Sequence, residues 1–442
     1  MVIKIGNRKK GSILDGLIIG CTSILFFLTL NPFFIWETYR GGFLSSSGFP
    51  LIKVMYFVVI VLDCFYLMGN MKIVNRDFTS AGAILLAAFF LVLFSGVVQG
   101  EFPALLTMNM VVLFFTILLQ IDLKIAIFEA FKKVFAFLLV PGIVFSVIAF
   151  LGINVPHDII LSEAAVKSNN YVQYLHFPFC VQITKSYDIF SNLNRFRLCG
   201  VLDEPGRVGT MCAFFLASDK FNLRKNINKI LLISGLLSLS VAFILLTLAY
   251  LLMDAVINKN KKRIYLIAGL FMGYLIFEFI PFNNIALTTL QGRLMLSSGH
   301  LAGDNRTNSD FIQYASTFFH SDDFYNILFG YGSGSTYSTM TSMNNGYSSS
   351  FIALFLDYGV VGFIAIVAWP IVFWATNKKQ NGNSKLAITL LIINLINLYQ
   401  RPSAFSPSYL YPFIGGIYIL NKEWFAGLNL INEQGDLPNA SN

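Results

Sequence analysis

The chain is 442 residues long, and 56% of its residues are hydrophobic while only 12% are charged. This composition excludes an ordinary soluble domain, in which about a quarter of the residues are charged, and indicates a membrane protein. The formal net charge of +8 does not indicate a nucleic-acid partner, because the basic residues stand in short clusters at the ends of apolar runs.

Apolar runs recur along the whole chain, and several approach the roughly 20 residues that cross a bilayer. The first run follows the basic segment IKIGNRKK, but no small-residue cleavage site comes after it. We therefore expect a retained span rather than a signal peptide. The pattern predicts a single integral membrane domain over 1–442, an all-α polytopic bundle. Its predicted spans are 12–30, 50–70, 80–99, 103–121, 134–152, 206–219, 263–281, 350–376, 385–400 and 407–421.

The apolar run 230–256 does not fit a single crossing, because lysines and arginines stand at both of its ends. One crossing would place a basic cluster on the outer side, against the positive-inside rule. We predict instead a short helix pair that enters and leaves on the cytoplasmic side and turns at Ser238, Leu239 and Ser240. The bundle then has about ten transmembrane helices, or about twelve if both arms are counted.

Two segments between the spans are long, 153–205 and 282–349, and we expect both on the outer side, carrying the polar chemistry. With both chain ends inside, seven of the 11 arginines but only three of the 20 lysines face outward. The positive-inside rule treats the two residue types alike. Because the planar guanidinium fork suits phosphate, the segregation indicates a phosphate-binding outer surface. The alternative is that these arginines pair with nearby acids, such as Asp203, Glu204, Asp304 and Asp310, and only hold the loops.

The first long segment leads into RFRLCGVLDEPGRVG, which places three arginines and an acid pair within 195–209. Pro205 predicts the start of a helix there. Asp203 or Glu204 is placed either to cap this helix or to act as a catalytic carboxylate beside the arginines. Cys180 and Cys199 lie in the same region. We expect two free thiols, with a disulfide as the alternative if the segment lies in an oxidising space.

The second long segment contains the glycine-rich run FGYGSG, which lacks the lysine and the spacing of a nucleotide-binding P-loop. No histidine has the spacing of a metal-binding helix, so we expect no metal and no cofactor. Each histidine is either an acid–base candidate or a polar loop residue: they are His157, His176, His300 and His320. Asp63 stands inside the predicted span 50–70, where we expect it to face the bundle interior as a proton relay, a structural partner or one side of a polar crevice.

Four motifs together resemble a known family. They are R-x-x-G-x-x-x-E-P-G at 197–206, the SLS turn, Arg306 about two dozen residues before F-G-x-G at 329–332, and L-x-x-G-x-x-G-F at 356–363. Arg195 and Gly206 also fit the R-x10-G pattern of such enzymes. The region 195–375 resembles the bacterial O-antigen and capsular polysaccharide polymerases of the Wzy type, which share a superfamily with the O-antigen ligases.

The resemblance implies a GT-C-like bundle with two long periplasmic loops in the bacterial inner membrane, and a glycosyltransferase that needs no metal. Donor and acceptor are both undecaprenyl-pyrophosphate-linked oligosaccharide repeats, within membrane lipid, with a chain-length regulator and a flippase as further partners. Ligases carry a histidine where this chain has Ser348, Ser349 and Ser350, which favours a polymerase. A flippase or other transporter remains the alternative from another class, although the chain shows no matching halves.

The resemblance and the charge pattern together select the candidate site residues. For the catalytic base they are Glu204 first, then Asp203, Asp304 and Asp310. For pyrophosphate binding they are Arg197, Arg207 and Arg306 first, then Arg195, Arg293 and Arg401. Arginines stabilise the charge that develops on a leaving pyrophosphate, and a carboxylate takes the proton of the attacking hydroxyl.

Overall fold

The computed structural model describes residues 12–35, 48–69, 75–99, 104–151, 153, 155–161, 172–185, 197–257, 259, 261–281, 291–292, 295–297, 300–301, 309–320, 323–332, 334–336, 339, 351–378, 384–400 and 405–435. The helices are α1 (Ile13–Leu28), α2 (Gly48–Gly69), α3 (Asn75–Gln99), α4 (Ala104–Leu118), α5 (Ile121–Phe150), α6 (Pro205–Ser218), α7 (Asn226–Leu237), α8 (Val241–Ile257), α9 (Lys261–Phe279), α10 (Ser309–Phe319), α11 (Phe324–Phe329), α12 (Phe351–Lys378), α13 (Ser384–Gln400) and α14 (Pro407–Gly435). The strands are β1 (Asp158–Leu161), β2 (Val172–Phe177), β3 (Cys180–Lys185), β4 (Leu198–Gly200), β5 (Leu296–Ser297) and β6 (His300–Leu301).

Three of the described helices are long and apolar enough to cross a membrane: Leu51–Gly69, Ile121–Ile148 and Phe351–Asn377. Six further apolar helices have 10–17 residues and are shorter than a usual span. The chain is therefore a mainly helical membrane protein. A helix lies in each of the ten predicted spans, while the number of helices that cross the bilayer stays a prediction.

Helix α5 begins at Ile121, well before the start of its predicted span at residue 134. The predicted spans 103–121 and 134–152 left the lysines between these positions in a connecting segment. In the structure Lys124 and Lys132 are both fully buried and form ion pairs with Asp77 (2.8 Å) and Asp219 (3.0 Å). Since each ammonium group has an acidic partner, the helix continues through the lysines into the bundle.

Aromatic rings fill the centre of the bundle, where α1, α5, α6 and α14 meet. The Phe26 ring contacts Phe131 edge-on at 5.8 Å between centroids and lies 4.6 Å from Tyr411. Phe215 of α6 contacts Phe131 at 5.1 Å. Such large apolar rings bury much area and prefer these tilted contacts, so they fix α6 against the neighbouring helices.

The run 230–256 consists of two helices, α7 and α8, joined by a turn at Ser238, Leu239 and Ser240. The turn lies beside the start of α6, where a side chain at Gly209 would collide with Ser240. The helix pair thus reaches the level at which α6 begins. The side of the membrane on which this turn lies stays a prediction.

The segment before α6 contains a four-stranded antiparallel sheet in the order β1-β2-β3-β4. Strands β2 and β3 pair from Phe177 with Cys180 to Val172 with Lys185. The expectation of an all-α chain therefore does not extend to the segment 153–205. The sheet is attached to the bundle beyond α1: Pro32 bridges Leu202, and the Phe33 N–H donates to the Val201 carbonyl at 2.8 Å. We call this end of α6 the sheet end.

A buried ion network closes the other end of α6, which we call the lysine end. Asp219 accepts hydrogen bonds from Lys132 (3.0 Å), Lys225 (2.8 Å) and Asn228 (2.8 Å). Lys132 also pairs with Glu129 at 2.9 Å. These contacts join α5, α6 and α7, and the 14 residues of α6 separate the two ends by about 21 Å.

Candidate active site

The sheet end of α6 gathers four of the ten predicted site residues. The helix begins at Pro205 with Glu204 as its N-cap, which confirms the helix start predicted from the proline. Asp203 is buried and pairs with Arg207 one turn along, with Oδ1 and Nε 3.2 Å apart. Arg207 also donates from Nη1 to the Leu30 carbonyl at 2.8 Å. One guanidinium group thus links α6, the DEPG segment and the end of α1.

Arg197 lies at the same end and connects it to the helix pair. Its side chain is buried, with 6% of the residue exposed, and Nε donates to the Ser238 carbonyl at 3.3 Å. Ser238 is the C-cap of α7, whose last carbonyls lack partners within the helix. The arginine of the R-x-x-G-x-x-x-E-P-G motif therefore holds the SLS turn, so two of the motifs from the sequence are in direct contact.

The two carboxylates of the DEPG segment lie in different surroundings. Asp203 is 2% exposed and belongs to the ion pair, and its carbonyl accepts a hydrogen bond from the Tyr174 hydroxyl at 2.8 Å. Glu204 is half-buried, and its side chain makes no capping bond to the helix. Burial, followed by the charge of Asp203, raises the pKa of Tyr174 well above its usual value. Tyr174 is thus a neutral hydrogen-bond donor, and Glu204 is the more accessible carboxylate.

The structure describes little of the other six predicted site residues. Asp310 stands in the first turn of α10, but its side chain is outside the described residues. The others, Asp304, Arg195, Arg293, Arg306 and Arg401, lie outside the described residues altogether. Their roles stay predictions. The pairing of Arg207 with Asp203 agrees with the alternative in which arginines hold the loops, and it does not prevent either residue from contacting a substrate.

The second long segment (282–349) contacts the membrane helix α12 at a break in that helix. Gly359 has φ +63° and ψ −170°, which interrupts the helical backbone. Beside the break, the Tyr331 N–H donates to the Leu356 carbonyl at 2.7 Å and the Gly332 N–H to the Asp357 carbonyl at 2.9 Å. The F-G-x-G and L-x-x-G-x-x-G-F motifs are therefore also in contact. Asp357 stood in the second motif but was not a predicted site residue.

The cysteines, His176 and Asp63 pack within the protein and show no sign of a catalytic arrangement in the part of the chain that the structure describes. All five cysteines are free, and burial raises the pKa of Cys180 to about 12, which leaves its thiol protonated at neutral pH. Burial lowers the pKa of His176, whose ring lies 5.2 Å from that of Phe33. Asp63 is fully buried in the bundle, as predicted. Within the described residues, no group of histidine, cysteine and acidic side chains has the arrangement of a metal site.

Comparisons with known proteins give no family assignment. The chain matches no protein-family model, and no curated protein matches it.

Proposed function

We propose that this protein is a polysaccharide polymerase that joins undecaprenyl-pyrophosphate-linked oligosaccharide repeats by glycosyl transfer. One observation carries the proposal: two arginines and two carboxylates, Arg197, Arg207, Asp203 and Glu204, converge at the N-terminus of α6 at one end of a membrane helix bundle. A helix N-terminus adds its own partial positive charge to that of the arginines. A site of this kind suits a membrane-held anion such as a lipid pyrophosphate.

The reaction needs two roles that these residues can fill. The hydroxyl oxygen of the acceptor attacks the anomeric carbon of the donor while the bond from that carbon to the pyrophosphate oxygen breaks. Glu204 takes the hydroxyl proton, since it is the half-buried carboxylate of the pair while Asp203 is buried in the ion pair with Arg207. The electron pair leaves with undecaprenyl pyrophosphate, and the arginines stabilise its growing charge. Asp203 holds Arg207 in place through their ion pair.

The charge distribution supports an orientation in a bacterial inner membrane. Three lysines, Lys132, Lys225 and Lys229, stand near the end of α6 opposite the sheet. By the positive-inside rule this lysine end faces the cytoplasm, so the sheet end and the site face the periplasm. In this orientation the site would lie on the side from which a lipid-linked repeat approaches after its transfer across the membrane.

The test is an assay with purified protein and a lipid-pyrophosphate-linked repeat unit, with the products separated on a gel. We expect a ladder of multiples, abolished by Glu204→Gln and weakened by Asp203→Asn through the loss of its ion pair with Arg207. Transfer to a lipid A core acceptor without a ladder would identify a ligase. Neither product, together with transport of the lipid-linked repeat, would identify a flippase.

Arg306 offers a second test of pyrophosphate binding in the same assay. Arg306→Lys keeps the charge but removes the planar fork, so we expect it to lose most polymerisation while membrane insertion stays normal. Wild-type chain length in this variant would contradict a pyrophosphate-binding role for Arg306.

A further inference from the structure

The second long segment packs closely against the break in helix α12, because a glycine stands on each side of the contact. A side chain at Gly359 would collide with the backbone of Leu328, and one at Gly330 (φ +76°) would collide with the backbone of Asp357. The left-handed φ values also favour glycine at both positions. The turn after α11 and the break in α12 thus fit each other closely, backbone against backbone.

The carboxylate of Asp357 binds the glycine-rich turn. Its Oδ1 accepts hydrogen bonds from the Thr336 N–H (2.9 Å), the Thr336 hydroxyl (2.6 Å) and the Ser335 hydroxyl (3.1 Å). Its Oδ2 accepts from the Gly334 N–H at 3.2 Å. All four donors are neutral and belong to three consecutive residues, Gly334, Ser335 and Thr336. Hydrogen bonds to a charged acceptor are about twice as strong as neutral ones, so this carboxylate fixes the turn to α12.

The same contact extends to helix α10. Phe311 and Phe318 of α10 pack in a small buried cluster with Ala353 and Leu356 of α12, and Tyr331 of the turn packs against it. In the sequence, α10 begins three residues after Arg306, and Asp310 stands in its first turn. Helix α10, which carries Asp310 in its first turn, is therefore fixed to the membrane helix α12 together with the turn.

We propose that Asp357 is a positioning residue for polymerisation: by binding Gly334, Ser335 and Thr336 it holds the second long segment against the break in α12. This inference rests on the proposed function. A displacement of about 1 Å at a reacting group can cost on the order of 100-fold in rate. Loss of the carboxylate therefore lowers turnover although Asp357 itself does not contact the reacting atoms.

The experiment combines the ladder assay with hydrogen–deuterium exchange of the turn, measured on the full-length protein in detergent. In Asp357→Ala we expect faster exchange of the Gly334 and Thr336 amides and a kcat about 10- to 100-fold lower, with KM for the lipid-linked repeat unchanged. Asp357→Asn keeps an acceptor for Ser335 and Thr336. We expect it to lose protection only at Gly334 and to retain most of the activity.

Asp323→Ala is the matched control. Asp323 is an exposed carboxylate that caps α11 through the amides of Tyr325 and Asn326. Its loss should speed exchange at those two amides and leave both the 334–336 amides and the ladder unchanged. If Asp357→Ala fails to fold, Thr336→Val is the substitute, because it removes only the Thr336 hydroxyl that donates to Asp357. We expect its kcat to fall, and the fall to follow the increase in the exchange rate of the Gly334 amide.

Three results would overturn the positioning role. They are unchanged exchange in Asp357→Ala, faster exchange with unchanged kcat, and an Asn variant that keeps the protection of the Thr336 amide but is as inactive as the Ala variant, which would mean that the charge and not the docking matters. A wild-type protein that makes no ladder would overturn the proposed function, and the positioning role with it. The exchange data would then still report the docking of the turn.

Discussion

The two ends of α6 both contain a buried aspartate, but their surroundings differ. At the lysine end, Asp219 accepts hydrogen bonds from two lysines and from the side-chain amide of Asn228. These bonds join three helices. At the sheet end, Asp203 pairs with Arg207, and Arg207 and Arg197 each also donate to a main-chain carbonyl of another segment. Compact lysine charges hold helices together, whereas planar arginine forks connect loops around a helix N-terminus. We infer that the lysine end serves stability and the sheet end serves function.

Lys132→Met is the sharpest test of the lysine end. Lys132 is fully buried and pairs with both Glu129 and Asp219, so its removal leaves buried negative charge without its partner. Breaking such a pair costs about 3–5 kcal/mol, and we expect the low end because Lys225 and Asn228 still bind Asp219. The measurement is the thermal unfolding midpoint in detergent, compared with turnover in the ladder assay below that temperature.

Lys133→Met is the control for this prediction, because Lys133 is the next residue and is exposed. It should leave the midpoint unchanged. If Lys132→Met lowered turnover in protein that is still folded, the assignment of the lysine end to stability would be wrong.

Arg207→Lys tests the sheet end and should have the next largest effect. A lysine can approach Asp203 but cannot at the same time bind the Leu30 carbonyl as the guanidinium does. We expect a loss of polymerisation of about 10- to 100-fold, with a smaller change in the unfolding midpoint than for Lys132→Met. The rate of ladder formation at saturating repeat unit is the quantity to measure.

Arg224→Lys is the matched control, since Arg224 is exposed near the opposite end of the same helix. Its rate should equal that of the wild type. Equal rates for Arg207→Lys and the wild type would show that the charge alone is sufficient at the sheet end, and would remove the reason for preferring arginine there.

Much of the helical framework could be predicted from the sequence, because apolar runs long enough to form spans depend on local composition. The start of α6 followed from Pro205, and the turn at Ser238 to Ser240 followed from basic residues on both sides of one apolar run. Both features are encoded within a few residues. The early start of α5 was missed because Lys132 is a charged residue outside the predicted span 134–152, while its partner Asp219 lies 87 residues away.

Other features depend on contacts that no local pattern shows. The sheet was missed although VQYLHF and CVQITK have strand-like alternation around a two-residue turn, because strands this short become evident only when they pair. Asp357 was not a predicted site residue because its donors stand 21 to 23 residues earlier in the chain. An acidic residue between motif glycines, with serine and threonine in a nearby glycine-rich run, is the signal that could have found it.

The pKa of His176 gives the smallest expected effect and a local test of the sheet end. Burial lowers this pKa, while Asp158 opposes the shift, so the folded state favours the neutral ring. A histidine whose folded pKa is lowered contributes stability that is present above its unfolded pKa of about 6.5 and lost as pH falls through the folded value. Because the ring is only partly buried, we expect a few tenths of a kcal/mol at most.

NMR titration of labelled histidine can measure this shift directly, with the His176 signal assigned by its absence in His176→Asn. The Phe33 ring lies over His176 at the point where the end of α1 meets the sheet. Phe33→Ala should therefore expose the imidazole and move its pKa up toward 6.5, because water again stabilises the charged form. A pKa that does not respond would mean that Phe33 does not shield the ring, and that the contact between the α1 end and the sheet is looser in solution than its hydrogen bond to Val201 indicates.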